Sequence, residues 1–183
     1  MGDGERWYAL AVKPQHEFRA FEGLKNLGGI EGFLPTYKDK RIWSDRVKVL
    51  NVPLFPGYVF ARFEYPARRA PVLRVAGVRS VVRSGAAVSP LPEEEINAIR
   101  ILVNSTFPVR PWPFLQAGHR VRVEHGPLRG VEGIILEQKD EWRMVVTVEL
   151  LQRSVSVLLD RSVLQRISTV AGPEHAGRSG GHA

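Results

Sequence analysis

Between Asn104 and Ala117 the chain reads NSTFPVRPWPFLQA. Prolines at 108, 111 and 113 each remove a backbone donor and fix φ, and the residues before them are driven to extended backbone. A compact helix or a central strand through this stretch is therefore disfavoured, and we read the chain as two folded segments on either side of it. We place them at residues 5–105 and 118–167, joined by a semi-rigid connector at 106–117. Trp112, Phe114 and Leu115 in the connector are free to dock on either neighbour. Residues 168–183 are rich in Gly, Ala and Ser without periodicity, and are expected to form a disordered tail.

The first segment mixes strands and helices. Trp7–Lys13 (WYALAVK) is a compact apolar run ended by Pro14, the pattern of a buried strand. Phe18, Phe21, Leu24 and Leu27 recur every third position, which we read as an amphipathic helix over 15–27 stopped by Gly28-Gly29. Residues 32–35, 48–54, 57–63 and 78–82 read as strands, with Pro56-Gly57 breaking the chain between the second and third. Pro71 opens a short helix over 71–75. Pro92 and three glutamates at 93–95 open another over 93–103, with negative charge where the helix dipole favours it. The expected result is a three- to four-stranded sheet with helices on one side.

The second segment is all β. Arg120-Val121-Arg122-Val123 alternates with the period of a half-buried strand. Runs at 131–138, 143–150 and 154–159 follow, separated by polar breaks. Short strands with regular turns point to a small barrel, whose limited core gains from closing its sheet edges. The fold class is thus α+β.

Composition narrows the function. Of 183 residues, 26 are Lys or Arg and 19 Asp or Glu, a net charge of +7; by charge alone, a surface for nucleic acid or an acidic partner and a basic protein whose charge only keeps it dispersed stand level. There is no cysteine, so disulfides, thiolate metal sites and cysteine nucleophiles are absent together. No apolar run approaches membrane-span length and no secretory leader is visible, so a cytoplasmic protein without membrane contact is expected. His16, His119, His125, His175 and His182 show no metal spacing. No GxSxG or GxxxxGK[ST] is present, and Glu93, Glu94 and Glu95 point in different directions as adjacent helical residues. We expect no enzyme, no metal and no cofactor.

Two segments stand out as binding candidates. NVPLFPGYVFARF (51–63) concentrates aromatics around a Pro-Gly step. Period-2 alternation puts Tyr58, Phe60 and Arg62 on one face. These side chains either fill the core, which composition alone favours, or present an aromatic docking surface to a partner helix. KDKRIWSDRVK (38–48) sets five basic residues around Trp43, and Arg62, Arg68, Arg69, Arg74, Arg79 and Arg83 form a second basic series. The two readings are a solvated loop with ordinary surface arginines, or a phosphate-clamping, base-stacking surface.

Together, WYALAVKPQHE (7–17), FLPTY (33–37), LFPGYVFARF (54–63) and VAGVRSVV (75–82) resemble the N-terminal (NGN) domain of the NusG/Spt5 family. GHRVRVEHGPLRGVEGII (118–135) resembles its KOW motif, and RIWSDRVK, PWPFLQAG and ELLQRSV are most similar to the UpxY-type antiterminators. The resemblance implies an NGN-type mixed sheet packed by helices, a proline-rich linker and an SH3-like KOW β-barrel. It also implies a monomeric transcription elongation or antitermination factor, operon-specialised, that binds the clamp helices of RNA polymerase and suppresses pausing or termination. The matching polymerase-binding residues are Tyr8, Phe55, Pro56, Gly57, Tyr58 and Phe60. Contact with upstream or non-template DNA would fall to Lys40, Arg41, Trp43, Arg46, Lys48, Arg74 and Arg79. The partner-recruiting loop aligns with Leu150, Leu151 and Arg153. General family members carry an Ile-Phe-Gly-Arg-like sequence there. Leucine buries less area than an aromatic anchor, so ribosomal protein S10, Rho and a different partner all stay open. A KOW-containing RNA-binding or ribosome-associated protein is the alternative function.

Overall fold

A computed structural model describes residues 4–42, 46–115, 118–138, 141–159, 163 and 167–169. The first half runs β1 (Glu5–Val12), α1 (Glu17–Lys25), β2 (Glu31–Phe33), β3 (Thr36–Ile42), β4 (Val47–Pro53), β5 (Tyr58–Glu64), α2 (Arg69–Leu73), β6 (Val78–Val81), the short pair β7 (Arg83–Ser84) and β8 (Ala87–Val88), and α3 (Glu93–Asn104). Four strands form one sheet in the order β2-β5-β1-β6, and each of its ladders is antiparallel.

Strand alternation divides that sheet into two apolar faces. Ala9 pairs with Phe60 and Tyr8 with Ala61, so neighbouring side chains go to opposite sides. Trp7, Ala9 and Phe60 share a core with Ile96, Ile99 and Leu102 of α3. Tyr8, Leu10, Val59, Ala61 and Phe63 share another with Ala20 and Leu24 of α1 and Val72 of α2. The expectation of helices on one side is corrected: β1 and β5 are apolar on both faces, and each face needs a cover.

The buried stripe of α1 also differs from the expected one. Glu17, Ala20 and Leu24 are buried, whereas Phe18 is 45% exposed. A strict three-residue spacing drifts around a helix with 3.6 residues per turn. Phe18 and Leu27 therefore cannot share a face, and the spacing 17-20-24 tracks it better.

The second half contains β9 (Val109–Trp112), β10 (His119–Val123), β11 (Glu132–Gln138), β12 (Glu141–Val148), a single 3-10 turn (Glu149–Leu151), β13 (Arg153–Leu159) and β14 (Ile167–Thr169). They form one six-stranded sheet in the order β14-β10-β11-β12-β13-β9, antiparallel at every ladder. Two expected boundaries move. Val109–Trp112, expected in the connector, pairs with β13. Pro111 fits because β9 is an edge strand, where a missing donor goes unmissed. Thr147 Oγ1 donates to the Leu115 carbonyl at 2.9 Å, and the Leu115 N–H donates to Ser154 Oγ at 3.2 Å, so the stretch is fastened to the second sheet. Ser168 and Thr169, expected in the tail, pair with Arg122 and Val121; the rest of that tail lies outside the described residues.

The two halves are not independent bodies in contact only through a linker. One core cluster runs from Trp7, Phe60 and Leu102 to Val121, Met144, Val146 and Val157. Helix α3 contacts β1 of the first sheet and β12 of the second, so it forms the shared layer.

Candidate docking surface and basic ribbon

The Pro56-Gly57 step is a tight turn. The Tyr58 N–H donates to the Phe55 carbonyl at 3.1 Å, and Gly57 has φ +85°. Proline at the second position and a left-handed glycine at the third are what a type II turn requires. Both sides of Gly57 are held from elsewhere. Its N–H donates to Glu17 Oε1 at 2.8 Å, and its carbonyl accepts from the Val12 N–H at 2.8 Å. Glu17 is only 6% exposed, so α1 buries a carboxylate whose hydrogen bond fixes a turn forty positions away. Sequence reasoning misses this residue. Its signal is weak: a charge at a position where helical spacing calls for an apolar group.

The turn distributes the six docking candidates unevenly. Pro56 is exposed, while Gly57 and Tyr58 are half-buried. Phe55 and Phe60 are buried and meet edge to face at 5.5 Å, and Phe60 continues through Phe33 to Trp7. Arg100 stacks its guanidinium on Trp7 at 4.9 Å and on Phe33 at 5.2 Å, and it pairs with Glu31. Tyr8 is buried on the opposite face, packed on Phe63 and Tyr65. Burial pushes the Tyr8 phenol above its usual 10, partly offset by Arg6 and reinforced by Tyr65. Phe55, Tyr58 and Phe60 thus belong with one face and Tyr8 with the other. What reaches the surface is the Pro56–Tyr58 crest above an aromatic stack.

The basic segment is a ribbon, not a loop. β3 and β4 pair only with each other, with Lys40 opposite Val49, Arg41 opposite Lys48 and Ile42 opposite Val47. Opposite residues share a face. One face carries the exposed Lys38, Lys40, Ile42, Val47 and Val49; Ile42 is 85%, Val47 63% and Val49 51% exposed. The other carries Tyr37, Leu50 and Val52, all half-buried, and Arg110 of β9 stacks on Tyr37 at 5.0 Å. Lys40, Arg41, Arg46 and Lys48 are exposed; Trp43 lies outside the described residues. Arg74 follows α2 and Arg79 is on β6, the edge strand opposite β2, so neither lies on the ribbon.

In the second half, Leu151 is buried, Leu150 half-buried and Arg153 exposed, and Gln152 takes the left-handed φ of +51° that ends the 3-10 turn. Among the described residues, no group of three or more His, Cys, Asp or Glu side chains could hold a metal, and no helix is long and apolar enough to cross a membrane.

Residues 5–100 match the family model described as transcription termination factor nusG. Among solved structures, one described as "Domain interaction in Thermotoga maritima NusG" is similar at a TM-score of 0.55 and 20% identity, covering 91% of this chain and 98% of that one. That similarity shows the fold across both halves. The structure of "MjSpt4:Spt5 complex conformation A" aligns at 14% identity over 90% of this chain and 98% of that one, with a TM-score of only 0.29. No curated protein matches the sequence.

Proposed function

Because the chain belongs to the NusG family of transcription factors, which are non-enzymatic, we propose that it is an elongation and antitermination factor acting by docking on RNA polymerase. The observation that carries this reading is the Pro56–Tyr58 crest, exposed at its tip and clamped by Glu17 and Val12. A preformed turn over an aromatic stack suits capture of an apolar helix face at little ordering cost. The clamp helices of the polymerase are the proposed occupant. Pro56, Gly57 and Tyr58 make the contact, Phe55 and Phe60 support it from below, and Tyr8 supports the sheet from its other face. A ligand that prefers the closed clamp shifts the enzyme toward it by the difference in affinity, which suppresses pausing and termination.

The ribbon supplies a second contact in this reading. Lys40, Arg41, Trp43, Arg46 and Lys48 meet upstream duplex or the displaced non-template strand, and Arg74 after α2 and Arg79 on β6 would add contacts away from the ribbon. Such contact weakens as salt rises, because releasing counterions into concentrated salt gains less free energy. The second domain acts as a KOW-type barrel that recruits a further factor through Leu150, Leu151 and Arg153. The leucine in place of an aromatic favours a partner other than ribosomal protein S10 or Rho, in keeping with an operon-specialised, UpxY-like paralogue in the cytoplasm. An elongation assay tests the function. Purified protein should shorten pauses and increase read-through of a terminator on a template carrying its native leader. Unchanged pausing and read-through, with the folded protein in excess, would contradict it.

A further inference from the structure

Glu95 stands in the first turn of α3, where that helix meets the second domain. A cavity of about 250 Å³ lies between this turn and the second sheet, and Glu95 lines it together with Glu94, Arg120, Arg122, Glu132, Thr147 and Glu149. Glu95 Oε2 is buried and has no hydrogen-bond partner. The carboxyl receives a backbone hydrogen bond from Glu149, the first residue of the 3-10 turn after β12, but the Glu149 side chain brings a like charge beside it. Glu94 adds a second like charge. On the far wall, Arg120 and Arg122 both turn to Glu132, at 3.9 Å and 2.6 Å, so their charge is engaged within the second sheet. The rest of the lining, including Ala98, Ile134 and the half-buried Leu115, carries no charge.

This is a poor place for an anion and a good one for a neutral carboxylic acid, whose O–H can donate. Burial first, then the charge of Glu149, raises the Glu95 carboxyl from 4.5 to about 7. The environment exists only while the two domains are packed; parted, they leave Glu95 in water on an exposed helix turn. Uptake of a proton and closure of the interface are therefore linked. The hinge for parting is short and available: only residues 105–108 lie between α3 and β9.

We propose that the packing of the second domain on α3 is a proton-controlled latch, closed when Glu95 carries a proton and released when it ionises. The closed state holds its full advantage below about 4.5, and loses it as pH rises through about 7. Release would uncover the outer face of α3 and the 149–153 turn together. This inference rests on the interface and not on the polymerase reading.

The test uses the full chain, which has no native cysteine. A donor and an acceptor dye are placed at Ser84→Cys and Arg129→Cys, both exposed, one in each domain. Energy transfer is followed from pH 5.5 to 8.5, with circular dichroism as the check on folding. The closed-to-open ratio should fall about tenfold or more across this range, a single group with a midpoint near 7 being able to move it that far. Glu95→Gln should stay closed throughout. Glu149→Gln, which removes the facing like charge and keeps the fold, should move the midpoint to lower pH. Unchanged transfer across the range would overturn the latch. So would a titration that survives in folded Glu95→Gln, which would assign the response to a histidine.

Discussion

Gly57 shows how much of this fold is decided by single residues. Its φ of +85° is a left-handed conformation, and a Cβ built there meets nothing within 4 Å. Replacement by alanine therefore costs backbone strain alone, about 1–2 kcal/mol, measurable by urea unfolding. Glu17 gives a sharper prediction because two variants separate charge from hydrogen bonding. Glu17→Ala leaves the Gly57 N–H without its acceptor in a half-buried turn and should cost about 1–3 kcal/mol. Glu17→Gln keeps an acceptor oxygen and should recover most of that loss, and amide exchange at Gly57 should be slow in wild type and Gln and fast in Ala. Deeper in the stack, Phe60→Ala empties a fully buried site and should cost about 3–5 kcal/mol. None of these side chains carries its role in its own identity. The turn itself is legible from Pro56-Gly57 and the aromatics around it. Its restraint by Glu17 is not, because a hydrogen bond across forty positions leaves no periodicity behind.

At the scale of elements, most of the first sheet is visible in the sequence, because β1, β5 and α3 pair a clear apolar pattern with proline or glycine boundaries. The sequence misleads where one residue class serves two purposes. Spacing alone draws Phe18 and Leu27 into one stripe, although the helical period separates them. The basic run at 38–48 resembles a loop because Lys38, Lys40 and Lys48 hide the strand alternation that its backbone follows. Paired only with each other, β3 and β4 leave one face open to solvent, with Lys38 and Lys40 beside Ile42, Val47 and Val49. If this face meets nucleic acid, Lys38→Glu with Lys40→Glu should weaken binding to a single- or double-stranded probe. It should also reduce the slope of log affinity against log salt by about 1–2, since each phosphate left unneutralised keeps close to one counterion that binding would otherwise release. Equal slopes for wild type and variant, measured between low and moderate salt, would remove the ribbon from the interface.

For the whole molecule, the shared core is what the sequence conceals. Three prolines announce a division, yet β9 carries Val109–Trp112 into the second sheet, and α3 serves both halves. Prolines report where a helix or central strand cannot be; they do not say to which neighbour an edge strand belongs. A consequence is thermodynamic coupling. At a pH where the interface is closed, thermal unfolding followed in both domains should give coincident transitions, as one cooperative unit does. Leu102→Ala, at a fully buried position of the shared layer, should lower both by the same amount, with a cost of about 2–5 kcal/mol. Separate midpoints would mean that the interface contributes little.

The proposed grip on RNA polymerase rests on the Pro56–Tyr58 crest. Its most direct test is the affinity of the full chain for core polymerase, measured beside Tyr58→Ala and a Pro56→Asp variant that leaves the Glu17 and Val12 hydrogen bonds in place. We predict saturable binding by wild type and a loss of at least tenfold in each variant, the scale of about 1.4 kcal/mol at a contact centre, with circular dichroism unchanged. Undiminished binding by both folded variants would place the polymerase contact elsewhere, and no binding by the folded wild type would contradict polymerase docking altogether.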